Sequence, residues 1–415
     1  MDGDAARVVI TGMGALTPLG LDVATLWRNL VSGTSATRRV TRFDVTAFAT
    51  QIGCEVDGFD AEQWMDRREA RRFGRHTQLA VAAARQALNE AHLRADGELG
   101  DDIGVIVGTA FGAAESISET YTTLLERGPA RVSPFAAVNI LADMPGGQIA
   151  IEFGLRGPNH CVVSACATGN DTLGEAAEIV RRGDAVAMVA VAVETPIVPY
   201  LLAAFHRTGS LSRRNDDPAH ASRPFDAQRD GMVFAEGAGA MVLERLDFAR
   251  SRGATPLAEV VAYAATADAY HVTAPDAEGD GATRAMSRAL RKASVAPEDV
   301  DYINAHGTST PMNDRVETLA IRRVFGERAY TVPISSSKSM LGHLLGAAGV
   351  VEGIACVCTI RNGTIHPTIN YETPDPACDL DYVPNVARRA EVRTVLSNSF
   401  GFGGRNATLV LRAFP

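Results

Sequence analysis

Aromatic side chains are scarce in this 415-residue chain, at 6%, and neither sign of charge dominates it. Its 40 basic residues fall short of its 49 acidic ones, and the net charge of −9 lacks the basic balance of a nucleic-acid-binding protein. A local basic patch on such a chain still suits an acidic partner. The six cysteines (Cys54, Cys161, Cys166, Cys356, Cys358 and Cys378) are too dispersed for a disulfide framework. Cys356-Val357-Cys358 is too tight for a CxxC motif and no second pair matches it, so a reduced, cytoplasmic setting is expected. Long hydrophobic runs are missing as well. The longest, Ala185 to Val193, is bounded by Asp184 and Glu194 and is far too short to span a bilayer. The stretch before Val8 has no basic region followed by a long apolar one, as a leader would. The chain is therefore read as soluble, with neither a membrane nor a nucleic acid among its partners.

What is present is small and apolar. Glycine is abundant at 38 residues, hydrophobic residues make up 46% and charged residues 21%, which suits an interior where backbones approach closely. The length exceeds what one core needs, so two packed halves are expected. Arg7 to Gly12, Ile103 to Gly108 and Ala185 to Val193 are nearly continuous apolar runs and read as buried strands. Gln78 to Leu93 and Ala282 to Ala293 carry apolar residues at helical spacing. Strands alternating with helices predict an α/β fold with mostly parallel sheets. No linker divides the chain and no sequence repeat is evident. The soft joint falls near Arg250 to Pro256, giving halves of 1–250 and 251–415. Arg213 to Gly231 reads as a long loop.

Four segments carry chemistry. Val163-Ser164-Ala165-Cys166-Ala167-Thr168-Gly169 precedes the helix-like Leu173 to Arg182. A cysteine on the turn entering a helix sits near the positive end of the helix dipole, which predicts a lowered pKa and a reactive thiolate. Asn304-Ala305-His306-Gly307-Thr308-Ser309-Thr310 follows the strand-like Val300 to Ile303. Ser335 to His343 runs into Leu344-Leu345-Gly346-Ala347-Ala348-Gly349, and the last segment is Asn398-Ser399-Phe400-Gly401-Phe402-Gly403-Gly404-Arg405-Asn406. Glycines in that last segment leave backbone amides free to face a ligand.

In this order the four segments resemble the elongating β-ketoacyl-acyl-carrier-protein synthases, including the ketosynthases of type II polyketide synthases. Val9-Ile10-Thr11-Gly12-Met13-Gly14, Arg223-Pro224-Phe225-Asp226 and Arg229-Asp230-Gly231 extend the resemblance to nearly the whole chain. It implies a thiolase-like fold of five αβαβα layers built from two similar halves. It implies Cys166 as the nucleophile that carries an acyl chain, with His306 and His343 holding the thioester carbonyl of a malonyl carrier protein. Backbone amides of Cys166 and Phe402 would hold the oxyanion, Lys338 would order the site with Glu352 as partner, and Asp314 would be a buried structural acid. The pairing of cysteine with two histidines separates this set from the Cys-His-Asn initiating synthases and from two-cysteine thiolases. Chain-length-factor subunits lack the nucleophile.

The same resemblance implies an acyl-carrier-protein partner whose phosphopantetheine arm enters a tunnel, with Thr308, Thr310 and Thr273 binding its amides. No metal and no organic cofactor beyond that arm is implied. Arg68, Arg71 and Arg72 stand at i, i+3 and i+4, which on a helix is one face, and with Arg207 they resemble a carrier-docking surface. Phe111 falls where the acyl pocket is lined and predicts a shortened or reshaped pocket, with Phe400 beside it in the substrate-binding set and Phe402 as a gate. Asn170-Asp171 is polar where simple fatty acid synthases vary, and Asp171 resembles the polyketide enzymes, whereas Gly342 to Gly349 is closer to the fatty acid ones. The sequence gives Arg405 no interpretation. Two assemblies stay open, a homodimer for fatty-acid elongation or a heterodimer with a chain-length-factor-like subunit for polyketides. A catalytically silent subunit is opposed by the complete Cys166, His306, His343 and Lys338 set.

Overall fold

The computed structural model describes residues 7–95 and 97–415. The segment read as lacking a leader lies mostly outside these. Ten strands form one sheet whose two sides repeat each other. From the middle outward, one side runs Val8–Leu16, Gly237–Arg245, Ala187–Glu194, Ile103–Gly108 and Asn159–Val162. The other runs Ala258–Ala267, Arg405–Arg412, Thr394–Gly401, Tyr302–Asn304 and Ile334–Ser335. Numbered by chain order within each side, both read first, fifth, fourth, second, third. Both also use two antiparallel pairings near the middle and two parallel ones outside, so the sheet is mixed and not mostly parallel as expected. Within the sheet, the sides pair where Val9 faces Glu259 and Ile10 faces Ala258. A repeat invisible in the residues is therefore explicit in the topology, because burial constrains polarity and size but not identity.

The helices repeat too. Arg75–Glu90 covers the outer face of the first side, and Asp280–Ala293 with Pro311–Phe325 covers that of the second. Thr168–Arg182 and Ala348–Asn362 lie between the two sides and touch strands of both. The result is five layers, αβαβα. Strands enclosed on both faces explain the continuous apolar runs: every residue of Ala187–Glu194 is buried. The span Leu345–Asn362 is long and apolar enough to cross a membrane by composition, yet 83% of it is buried inside the protein as this central layer.

Small residues set the depth of the central layer. A Cβ on Gly169 would stand 2.5 Å from the backbone nitrogen of Gly349, and one on Gly349 would stand 2.4 Å from that of Asn170. Gly174 in turn lies against the Tyr263 ring, 2.2 Å from any added Cβ. The two central helices thus cross backbone to backbone, at equivalent positions of the two halves. Gly349→Ala is expected to lower stability by about 2–3 kcal/mol through overpacking, read as a lower denaturant midpoint. An unchanged midpoint would mean that the helices do not depend on this contact.

Candidate active site

Cys166 stands on the turn Ala165–Ala167 between the strand Asn159–Val162 and the central helix, which begins at Thr168 rather than near Leu173. Ala165 is left-handed at φ +52°, a strained backbone that lifts the next residue out of the strand. The hydroxyl of Thr168 braces the turn, accepting from the Ser164 amide at 2.8 Å and donating to the Ala165 carbonyl at 2.7 Å. Asp171 braces it from below, accepting from the Ser164 hydroxyl and, at 2.6 Å, from the Tyr263 hydroxyl. Across from it, a Cβ on Gly401 would stand 2.9 Å from the Cys166 nitrogen. Only glycine lets that strand end approach the turn so closely. The amides of Phe402 and of Cys166 itself lie close enough to the sulfur to favour its thiolate.

The thiol corrects one expectation. Cys166 is 8% exposed, and burial pushes its pKa up to about 12 despite the Lys338 charge and the two amides, which pull it down. Desolvation of the thiolate outweighs the helix terminus, so the resting group is a thiol.

The histidines come from the second half. His306 follows the strand Tyr302–Asn304, and the carboxylate of Glu317 accepts from the amides of His306 and Gly307, each at 2.8 Å. His343 follows Gly342, whose φ of +71° turns the chain back; its amide donates to Val233 O at 2.7 Å. The Nδ1 of His343 accepts from the Leu345 amide at 3.2 Å, so the ring proton sits on Nε2, a buried atom with no protein partner. The two imidazoles are 5.4 Å apart and nearly perpendicular, and the Phe400 ring is 5.8 Å from that of His306. Burial first, and the Lys338 charge second, hold both imidazoles well below their ordinary pKa, so both are neutral. Lys338 itself is buried, donating from Nζ to the His306 carbonyl at 2.6 Å and pairing with Glu352.

Two cavities meet at the sulfur. One of about 310 Å³ is lined by Cys166, His306, His343, Thr308, Thr310 and Thr273, with Phe400 and Phe402 also on its wall. The other, of about 290 Å³, is lined by Cys166, Phe402, Phe111, Phe205, Leu345 and Arg405, among others. Phe402 therefore separates the two. Its ring stacks on Phe205 at 5.7 Å, and Phe111 meets the same Phe205 ring edge-on at 5.5 Å. Thr308 is buried and shares a hydrogen bond of 2.9 Å with Thr310, whereas Thr273 is exposed at the mouth.

Asp314 is enclosed, accepting from the amides of Phe225 and Ser309 with the Arg229 guanidinium 3.7 Å away, and it ties the loop after Gly209 to the His306 segment. The basic cluster departs from its expected shape. The helix there is one turn, Arg67–Ala70, so Arg71 caps it and Arg72 lies beyond. Arg68 and Arg71 are exposed, as is Arg207, but Arg72 turns aside to lie over the Phe135 ring at 5.1 Å. Gly74 already caps the start of the next helix.

Two carboxylates escaped the sequence reading. Glu317 was signalled only by its i+3 spacing from Asp314. Glu194, which closes a buried strand, accepts from the amides of Ala110 at 2.7 Å, Phe111 at 3.1 Å and Gly346 at 3.1 Å. Burial pushes both carboxyls up to about 7. Among the described residues no group of three or more His, Cys, Asp or Glu is placed to hold a metal ion.

A buried thiol facing two neutral imidazoles where two thiolase-like halves meet defines an acyl-transferring, carbon–carbon bond-forming enzyme. Residues 5–249 match the β-ketoacyl synthase N-terminal domain and residues 257–372 its C-terminal domain. The chain belongs to the β-ketoacyl synthase family. It is 48% identical over 408 residues to 3-oxoacyl-acyl-carrier-protein synthase 2 of Synechocystis, covering 98% of both chains. It is 47% identical, with the same coverage, to the protein of that name from Staphylococcus aureus. Among solved structures, the ishigamide ketosynthase/chain length factor aligns at TM-score 0.91 and 39% identity over 99% of both chains. A type II polyketide ketosynthase bound to the hexaketide, in complex with its acyl-carrier protein, aligns at 0.90 and 35%, again over 99% of both.

The raised thiol gives a direct check. Alkylation of Cys166 by iodoacetamide, followed by peptide mass spectrometry, is expected to rise about tenfold per pH unit between pH 7 and 9 without a plateau. A plateau near neutrality would show that the thiolate already exists at rest.

Proposed function

We propose that this chain condenses an acyl chain held on Cys166 with the two-carbon unit of a malonyl carrier protein. The observation that carries the reading is the meeting of both cavities at Cys166, with His343, whose Nε2 has no protein partner, on the wall of one of them. In the first step the Cys166 sulfur attacks the acyl thioester and the carrier's pantetheine thiol leaves, so the thiol proton passes from one sulfur to the other. The amides of Cys166 and Phe402 receive the oxyanion. The chain then lies past Phe402, against Phe111 and Phe205.

In the second step His306 and His343 hydrogen-bond the malonyl thioester carbonyl. As the bond to the carboxylate breaks and carbon dioxide leaves, its electron pair becomes the enolate those imidazoles stabilise. Neutral donors suit this step, because they strengthen toward the growing charge without first losing a proton. The enolate carbon attacks the Cys166 thioester, forming the new bond and releasing the sulfur as thiolate. Thr308 and Thr310 provide hydroxyls for the amides of the arriving arm, with Thr273 at the mouth. Arg68, Arg71 and Arg207 offer an exposed basic surface to an acidic carrier protein.

The strand Asn159–Val162 ends its sheet, and Val163, which follows it, and Ile151, on a helix packed against it, are exposed apolar residues. An open edge beside an apolar patch supports a paired assembly. The full-length identities of 47–48% to proteins named 3-oxoacyl-acyl-carrier-protein synthase 2 support the synthase reading, for which the assembly we propose is a homodimer. One observation favours a polyketide ketosynthase with a chain-length-factor-like partner: Arg405 is the one charged residue on the wall of the acyl cavity.

His306→Ala or His343→Ala is expected to slow release of carbon dioxide from malonyl carrier protein by about 10²–10³-fold. Acylation of Cys166 should persist in both variants. Unchanged decarboxylation in folded variants would remove the assigned roles. Condensation by the purified chain across acyl carriers of graded length is expected to show a cutoff that Phe111→Ala moves to longer chains. Folded but inactive protein would put the partner-dependent reading ahead.

A further inference from the structure

The acyl cavity is apolar except at one point. Apart from the nucleophile, its wall consists of residues such as Ala110, Phe111, Val163, Phe205 and Leu345, and then Arg405. Arg405 opens the last strand and pairs with Gly401 across the hairpin that also presents the Phe402 amide. Gly403 and Gly404, at φ +79° and +67°, make that turn, so the guanidinium is carried on the same rigid element as the oxyanion donor. Among the described residues its guanidinium makes no hydrogen bond or ion pair, and its charge acts on Asp171. Asp171 already accepts from Ser164 and Tyr263. Arg405 is exposed, and so is Val163 of the same cavity wall, at 54%.

Arg405 has five donors that are left to water, and a saturated chain that fills the cavity beside it covers part of that hydration. Methylenes laid against it strip water from the cation and return nothing. A chain bearing carbonyl oxygens returns a charge-assisted hydrogen bond. We propose that Arg405 is a specificity residue that selects acyl chains retaining oxo groups over fully reduced ones of the same length. The inference rests on Cys166 being the acyl acceptor, and it deepens that reading by naming the substrate class.

The test is a competition between octanoyl and 3-oxooctanoyl pantetheine thioesters for Cys166 of the full chain, read as the ratio of the two adducts by intact mass. The unaltered chain is expected to favour the oxo chain by about tenfold, the worth of one exposed charge-assisted hydrogen bond. Arg405→Thr should bring the ratio close to one. Arg405→Gln, which removes the charge and keeps a polar side chain, serves as the second variant should the first fail to fold. A ratio near one in the unaltered chain, or a preference that survives both substitutions, would overturn the assignment of Arg405 while leaving Cys166 in place. Absence of either adduct on the unaltered chain would instead remove the underlying role of Cys166, and the inference with it.

Discussion

The site depends on one buried ammonium. Lys338 holds the His306 backbone by its carbonyl, pairs with Glu352, and lies close enough to act on all three reacting groups. Its charge pulls the Cys166 thiol down, toward attack, and pulls both imidazoles down, away from protonation. One positive charge therefore pushes the nucleophile and the two carbonyl donors in the directions that their separate tasks require. A buried ion pair of this kind gains little stability over apolar packing, whereas removing one partner costs about 3–5 kcal/mol. Its value lies in the field it imposes on a site sheltered from water, where charges act more strongly than in bulk solvent.

That field reaches three residues because the fold brings two equivalent corners together. Each half turns at the start of its central helix through a residue with a left-handed backbone, Ala165 in one and Leu345 in the other. Cys166 follows the first of these turns, and His343 precedes the second. The helices that leave these turns touch at Gly169 and Gly349, so the corners cannot drift apart without opening the central layer. Glu194 ties the corners again, since its carboxylate receives amides from the acyl-cavity wall at Ala110 and Phe111 and from Gly346 beyond His343. Neither half holds a complete site. A repeat of topology without a repeat of sequence lets each half keep a different share of the chemistry.

Much of this was legible in the residues. The apolar runs at Ile103–Gly108 and Ala187–Glu194 are strands because burial on both faces leaves no polar positions, and that pattern survives in one dimension. The four motif segments come together in the fold because each sits at the end of a strand or the start of a helix. What stayed hidden depends on distance. Glu317 and Glu194 act by receiving backbone amides, and backbone amides have no sequence signature. The thiol was misread because a helix terminus is visible in sequence and burial of a sulfur is not; desolvation is the larger effect. The arginine face failed for a local reason, since the helix stops at Ala70 and leaves Arg72 to stack on Phe135.

The central claim is that one sulfur stores the chain while two imidazoles release the carbanion equivalent that attacks it. A single-turnover experiment tests this most directly. The chain is first acylated, freed of excess donor, and mixed with malonyl carrier protein, and the loss of acyl-Cys166 is followed beside the release of carbon dioxide. The account predicts that each acyl group leaving Cys166 is matched by one carbon dioxide and one 3-oxoacyl carrier product. Acyl loss without carbon dioxide, or product formed while the Cys166 adduct stays intact, would contradict it.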